Sequence, residues 1–155
     1  MGEAMEFRRA VVTDAAVIRD LTRDAYAKWV PLIGREPKPM SADYESAVRR
    51  HRFDLVYLDG VLAGLIETID EGSQLLIENV AVSPAFQRRG LGAKLMAQAE
   101  AVALSLGYGR IRLYTNERFT ENVRLYRKLG YVVDSQDDIV GGMIRVNMSK
   151  GLSRR

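Results

Sequence analysis

The chain has 155 residues, 47% hydrophobic and 28% charged, which suits one compact domain spanning 1–155 and excludes a disordered chain. No apolar run approaches the roughly 20 residues of a membrane helix, and the lack of cysteine excludes disulfides, thiolate nucleophiles and cysteine-held zinc. The net charge of +3 is carried by arginines scattered from Arg8 to Arg155 without a basic block, so neither a nucleic-acid nor a membrane partner is expected.

Met5 to Val12 reads as a first strand; its Glu6, with Glu3 before it, gives no apolar signal segment, so a cytoplasmic location is expected. Thr13-Asp14 offers a cap, and Val17, Ile18, Leu21, Ala25 and Trp29 give Ala15–Trp29 a helical period. Pro31, Gly34, Pro37 and Pro39 predict a loop, after which Ser41 or Asp43 starts a short helix through Arg50. Phe53–Leu58 and Val61–Asp70 flank the Asp59-Gly60 turn as a hairpin. Leu75–Val82 is almost wholly apolar, as a central strand buried on both faces must be. Gly90–Leu106 places Leu91, Leu95, Met96, Ala99, Val102, Ala103 and Leu106 on one face, with Gly107 as its stop. Arg110–Thr115 then predicts a strand reached by a parallel crossover, and Thr120–Leu129 a helix. Tyr131–Ser135 and Gly142–Met148 close the chain as strands, the second long enough for a sheet edge. Helices packed on a mixed sheet make this an α+β layered domain.

The segment from Val80 to Gly92 joins a buried strand to a strong helix through a turn with Gly90 and Gly92. A helix start leaves N–H groups unpaired and partly positive, and glycine lets a phosphate approach the backbone. Arg88 and Arg89 add charged donors, so a diphosphate cradle is predicted. No Gly-Lys-Ser/Thr follows, and Leu95 stands where a dinucleotide fingerprint needs its third glycine.

Gln87-Arg88-Arg89-Gly90-Leu91-Gly92 does resemble the Q/R-x-x-G-x-G/A signature of the GCN5-related N-acetyltransferase (GNAT) superfamily. Asn79-Val80-Ala81-Val82 with Pro84 looks like that family's fourth strand, and Asn122 to Tyr131 like its later helix and turn. The resemblance implies the GNAT-like acyltransferase fold: a mostly antiparallel sheet of about seven strands with helices on both faces. It also implies acetyl-CoA as donor cosubstrate, bound by Gln87, Arg88, Arg89, Gly90, Leu91, Gly92 and Ala93 at its pyrophosphate. Val80, Ala81 and Val82 would carry its pantetheine arm by strand addition.

By the same resemblance Tyr126 is the general acid for the departing thiolate. Asn122, four residues earlier on that helix face, and Asn116 would contact the cofactor, though a cap or turn role suits each as well. Many members place the asparagine where this chain has Phe119. Glu78, a carboxylate in an apolar strand, is the expected base, and desolvation would raise its pKa. Glu67 on the neighbouring strand is the alternative, placed in the acceptor site. The sole histidine, His51, stands among arginines and reads as surface. Tyr26 and Trp29 would help wall the acceptor site, near Arg35 and Lys38.

The expected function is direct acetyl transfer from acetyl-CoA to a primary amine in a ternary complex. A second reading is an acyl-CoA-binding sensor without turnover, against which Glu78 and Tyr126 both weigh. No His, Asp or Glu cluster has metal-ligand spacing, so no metal is expected. The final strands offer edges for a homodimer.

Overall fold

A computed structural model describes residues 4–139 and 141–153; Glu3 and the Arg154-Arg155 pair lie outside that description. Seven strands form one sheet in the order β1-β2-β3-β4-β5-β7-β6. They are β1 (Met5–Arg9), β2 (Arg52–Leu58), β3 (Val61–Asp70), β4 (Leu75–Val82), β5 (Arg110–Asn116), β6 (Val132–Ile139) and β7 (Met143–Gly151). Every pairing is antiparallel except β4 with β5. That parallel pair is joined by the crossover helix α4 (Leu91–Ser105), the parallel crossover expected from the sequence.

The helices cover both faces. One face packs Phe53, Leu55, Leu65 and Ala81 under α1 (Ala15–Tyr26) and α3 (Tyr44–Arg50). The other packs Val56, Ile66, Leu75 and Ile77 under α4 and the Tyr126 ring of α5 (Thr120–Lys128). Leu95, Met96, Ala99 and Ala103 of α4 are fully buried, so the helical period read from the sequence is the packing stripe. Val17 and Leu106, counted in the apolar faces, are exposed.

Several boundaries differ from expectation. β1 stops at Arg9 because the Asp14 carboxylate accepts the Val11 N–H at 2.8 Å and turns the chain early. The predicted long first helix ends at Tyr26, tightens over Ala27–Trp29, and continues as α2 (Val30–Ile33) where a loop was expected. Pro31 falls in the first turn of α2, where its missing N–H has no helical partner to lose. Gly34, at φ 75°, ends that turn. Asp43 rather than Ser41 caps α3, its side chain accepting from the Ser46 N–H at 3.2 Å. β7, expected at an edge, lies between β5 and β6, and β6 is the outer strand.

One irregularity decides where the site's side chains point. Glu67 pairs with Asn79 and Thr68 with Ile77, so Glu78 is an extra residue on β4. This bulge reverses the alternation. Leu75, Ile77 and Val80 face α4, while Asn79 and Ala81 face α1 and α3.

Candidate active site

The sheet opens at its centre. β4 and β5 pair only over Leu75–Ile77 and Ile111–Leu113; from Glu78 onward no rung joins them. Two clefts meet at this parting. The smaller, about 390 Å³, runs under the start of α4, and the larger, about 760 Å³, lies between the Ile33–Pro39 segment and β5. Tyr26, Val80, Asn122 and Tyr126 line both and form the junction.

The smaller cleft gathers most of the residues expected for the cofactor. Val80, Ala81, Val82, Gln87, Arg88, Gly90, Leu91, Gly92 and Ala93 line it. The first α4 amide to close a helical ring is Lys94, on Gly90 O at 3.3 Å. The N–H groups of Leu91, Gly92 and Ala93 therefore have no helical acceptor. Gly90 sits at φ 79° and Arg88 at φ 66°, a left-handed conformation that non-glycine residues seldom adopt. Together they curl the turn so that its amides converge, the form of an anion nest. Gly92 lies against α5; a Cβ there would stand 3.1 Å from the Leu125 methyl. A diphosphate fits this turn by donor chemistry and by the open space beside Gly90.

Two members of the signature are engaged with other parts of the chain. The Gln87 amide donates to Val82 O at 3.1 Å and ties the turn to the end of β4. The Arg89 guanidinium lies over the Phe86 ring, 5.3 Å from its centroid, and Arg89 is not among the lining residues. Lys28, 3.6 Å from Glu121 and on the same cleft, is a cation the sequence reading did not select.

At the junction the Tyr26 hydroxyl donates to Asn79 Oδ1 at 2.7 Å. The Asn79 amide donates to the Tyr44 oxygen at 3.3 Å, and Tyr44 donates to Pro39 O at 2.6 Å. This chain links the loop wall of the larger cleft to β4, and Asn79 is its buried hub. Burial raises the Tyr26 phenol well above its ordinary value. Tyr126 is buried edge-on to Tyr131, and burial pushes its phenol up to about 12. Trp29 stacks on Phe119 with ring centroids 4.6 Å apart. Trp29 lines the smaller cleft and Phe119 the larger, so the expected acceptor wall is in part the partition between them. Asn122 reaches both clefts. Asn116 lines the larger one, but its Oδ1 accepts the Arg118 N–H at 2.9 Å and its amide meets the Met143 sulfur, a turn-forming role.

The two carboxylates named as bases lie in different surroundings. Glu78, half-buried at the bulge, lines the larger cleft and accepts from the Tyr114 hydroxyl at 2.7 Å. Glu67 is buried, lines neither cleft and meets His51 Nδ1 at 2.7 Å. Burial raises its carboxyl, and the bond to His51 opposes that rise. His51, read as a surface residue, is therefore the partner of a buried acid, placed there by the end of α3.

Sequence reading also passed over Tyr114 and Arg145, which line the larger cleft. The signal for Tyr114 was the alternation Arg112-Leu113-Tyr114-Thr115-Asn116, which puts Arg112, Tyr114 and Asn116 on one face of β5. Which residues that face meets depends on β4 and β7 as neighbours.

The family model described as "Acetyltransferase (GNAT) family" matches residues 16–131. No curated protein sequence matches the chain. Among solved structures, the ribosomal-protein-S18-alanine N-acetyltransferase of Escherichia coli superposes with a TM-score of 0.80 at 18% identity, over 98% of this chain and 96% of that one. The PaiA N-acetyltransferase of Thermoplasma acidophilum, in complex with coenzyme A, gives 0.75 at 18% identity, over 96% and 99%. An IAA acetyltransferase from Bacillus cereus gives 0.76 at 20% identity, over 96% and 100%. At these identities the likeness is one of fold.

Proposed function

The chain belongs to the acetyltransferase (GNAT) family, and on that premise we propose that it is an N-acetyltransferase acting on a primary amine by direct attack in a ternary complex. The observation that carries this reading is the parting of β4 from β5 at Glu78, with the two clefts meeting at Tyr126. Acetyl-CoA, when bound, supplies an acetyl group activated as a thioester. The Gln87–Ala93 turn would hold its diphosphate through the amides of Leu91 to Ala93 and the charge of Arg88. Val80 to Val82, a strand with its β5 side unpaired, would hold the amide-bearing arm by backbone hydrogen bonds.

The acceptor amine enters from the larger cleft and must lose a proton to attack. Glu78 is the carboxylate on that cleft closest in sequence to the Val80–Val82 strand, and it takes that proton directly or through water. Tyr126, kept protonated by its burial, gives its phenolic proton to the leaving sulfur. One N–C bond forms, one C–S bond breaks, and the products are an N-acetylamine and free thiol. Tyr26 and Asn79 hold the junction's shape between the clefts. The test is release of free thiol from acetyl-CoA across a panel of amines. Binding of acetyl-CoA without thiol release on any amine overturns the reading.

A further inference from the structure

The floor of the larger cleft holds opposite charges one aromatic ring apart. The Tyr114 hydroxyl bonds Glu78 at 2.7 Å. The Arg145 guanidinium lies over the same ring, 5.5 Å from its centroid. All three line the cleft. Arg145 Nη2 donates to Asp137 at 3.0 Å, and Asp137 is not among the lining residues. Arg145 Nε is buried with no hydrogen-bond partner among the described residues. Asp137 takes one edge of the guanidinium, whose side chain is 42% exposed, and a planar group with five N–H donors keeps others for an acceptor in the cleft.

We propose that the acceptor amine carries a carboxylate a few bonds from its nitrogen, and that Arg145 is the residue that selects for it. This rests on reading the larger cleft as the acceptor site. The amine then approaches Glu78 while its carboxylate takes the guanidinium, the two ends spanning the Tyr114 ring. Planar guanidinium suits carboxylate, and a charge-assisted, two-pronged pair adds geometric selectivity. The other charges on the cleft agree with a substrate of mixed sign. Glu36 is already held by Arg23 at 2.9 Å. Arg35 and Lys38 on the loop wall oppose a second ammonium, although Asp138 adds an acid at the rim. The preferred class is therefore an amino acid or a short amino-acid-like amine, ahead of a diamine.

The test uses the full chain with acetyl-CoA and the common α-amino acids, β-alanine and γ-aminobutyrate, each beside its amide, with putrescine as the diamine. At least one acid is expected to exceed its amide in kcat/KM by about ten- to hundredfold, chiefly through KM. Arg145→Gln brings that ratio toward one, and Arg145→Lys restores part of it. Asp137→Asn removes the same ion pair from outside the cleft and keeps the ratio, which a merely structural role for Arg145 would not allow. Amides or putrescine turned over as well as every acid, or Asp137→Asn acting like Arg145→Gln, overturns the proposal and leaves acetyl transfer standing. Equilibrium binding of the N-acetylated acids to CoA-loaded protein gives a second readout. Binding weakened at least about tenfold by Arg145→Gln, without turnover of any amine, supports the anion site and refutes acetyl transfer. Neither binding nor turnover refutes both.

Discussion

The Tyr114 hydroxyl spans the opening between β5 and β4 to bond Glu78 at 2.7 Å, beyond the last rung that joins the two strands. A sheet parted at its centre leaves backbone groups without ladder partners and side chains without neighbours. Here one phenol bridges the parting and fixes the carboxylate on the larger cleft, the proposed acceptor side. Glu78→Gln should lower kcat by about a hundredfold or more, the range of a lost general base. Tyr114→Phe removes only the donor that aims the carboxylate and should cost about tenfold. Steady-state kinetics on both variants check the order; a larger loss in Tyr114→Phe would reverse the assignment.

As the proposed general acid, Tyr126 leaves the alkaline side of the pH profile open through pH 10. Burial pushes its phenol up to about 12 from an ordinary 10.0. In the proposed role the protonated form is the working one, so raising the pKa extends activity upward. The sign for folding is the same: a raised phenol contributes stability below pH 10 that is lost as pH rises through about 12. The rate should therefore hold a plateau through pH 10, with no falling limb from this residue. Tyr126→Phe should lower kcat about a hundredfold while acetyl-CoA affinity, read by calorimetry, changes little.

Gly90 is held at φ 79° at the head of α4, where its turn curls toward the smaller cleft. No atom lies within 4 Å of a Cβ added there, so the cost of Gly90→Ala is conformational. A left-handed alanine costs roughly 1–2 kcal/mol, a few degrees of Tm for a chain of this size. Relaxing that strain would uncurl the amides, so acetyl-CoA affinity should fall more than the melting shift implies. Thermal unfolding with and without the ligand separates the two effects.

What the sequence discloses follows from the range of each interaction. α4 was legible because Leu95, Met96, Ala99 and Ala103 repeat at a helix's own period and are all buried. The Gln87–Gly92 turn was legible because glycines and arginines sit together in the chain. The Glu78 bulge was not, because it exists only against the register of β3. Arg145 escaped notice because it meets Tyr114 through the pairing of β7 with β5, strands far apart in sequence. α2 was hidden by Pro31, which reads as a breaker yet suits a first turn.

His51 and Glu67 show how a plain surface reading can miss a buried pair, and they offer a stability test separate from catalysis. Glu67 lies across from Asn79, and its carboxyl is raised by burial from an ordinary 4.5 while His51 pulls it back down. A raised carboxyl means the folded protein holds this proton more tightly than the unfolded chain. Its contribution is complete below about 4.5 and declines as pH rises through the folded value. His51→Ala removes the group that opposes the rise, so the decline should extend further toward neutral pH. It also leaves a buried carboxylate without its partner, a loss of roughly 1–3 kcal/mol. Urea unfolding between pH 5 and 8 should show the variant losing stability with pH more steeply than the parent. Glu67→Gln should flatten that dependence and cost far less turnover than Glu78→Gln, since Glu67 lines neither cleft. A larger loss of turnover in Glu67→Gln than in Glu78→Gln would move the base from β4 to β3.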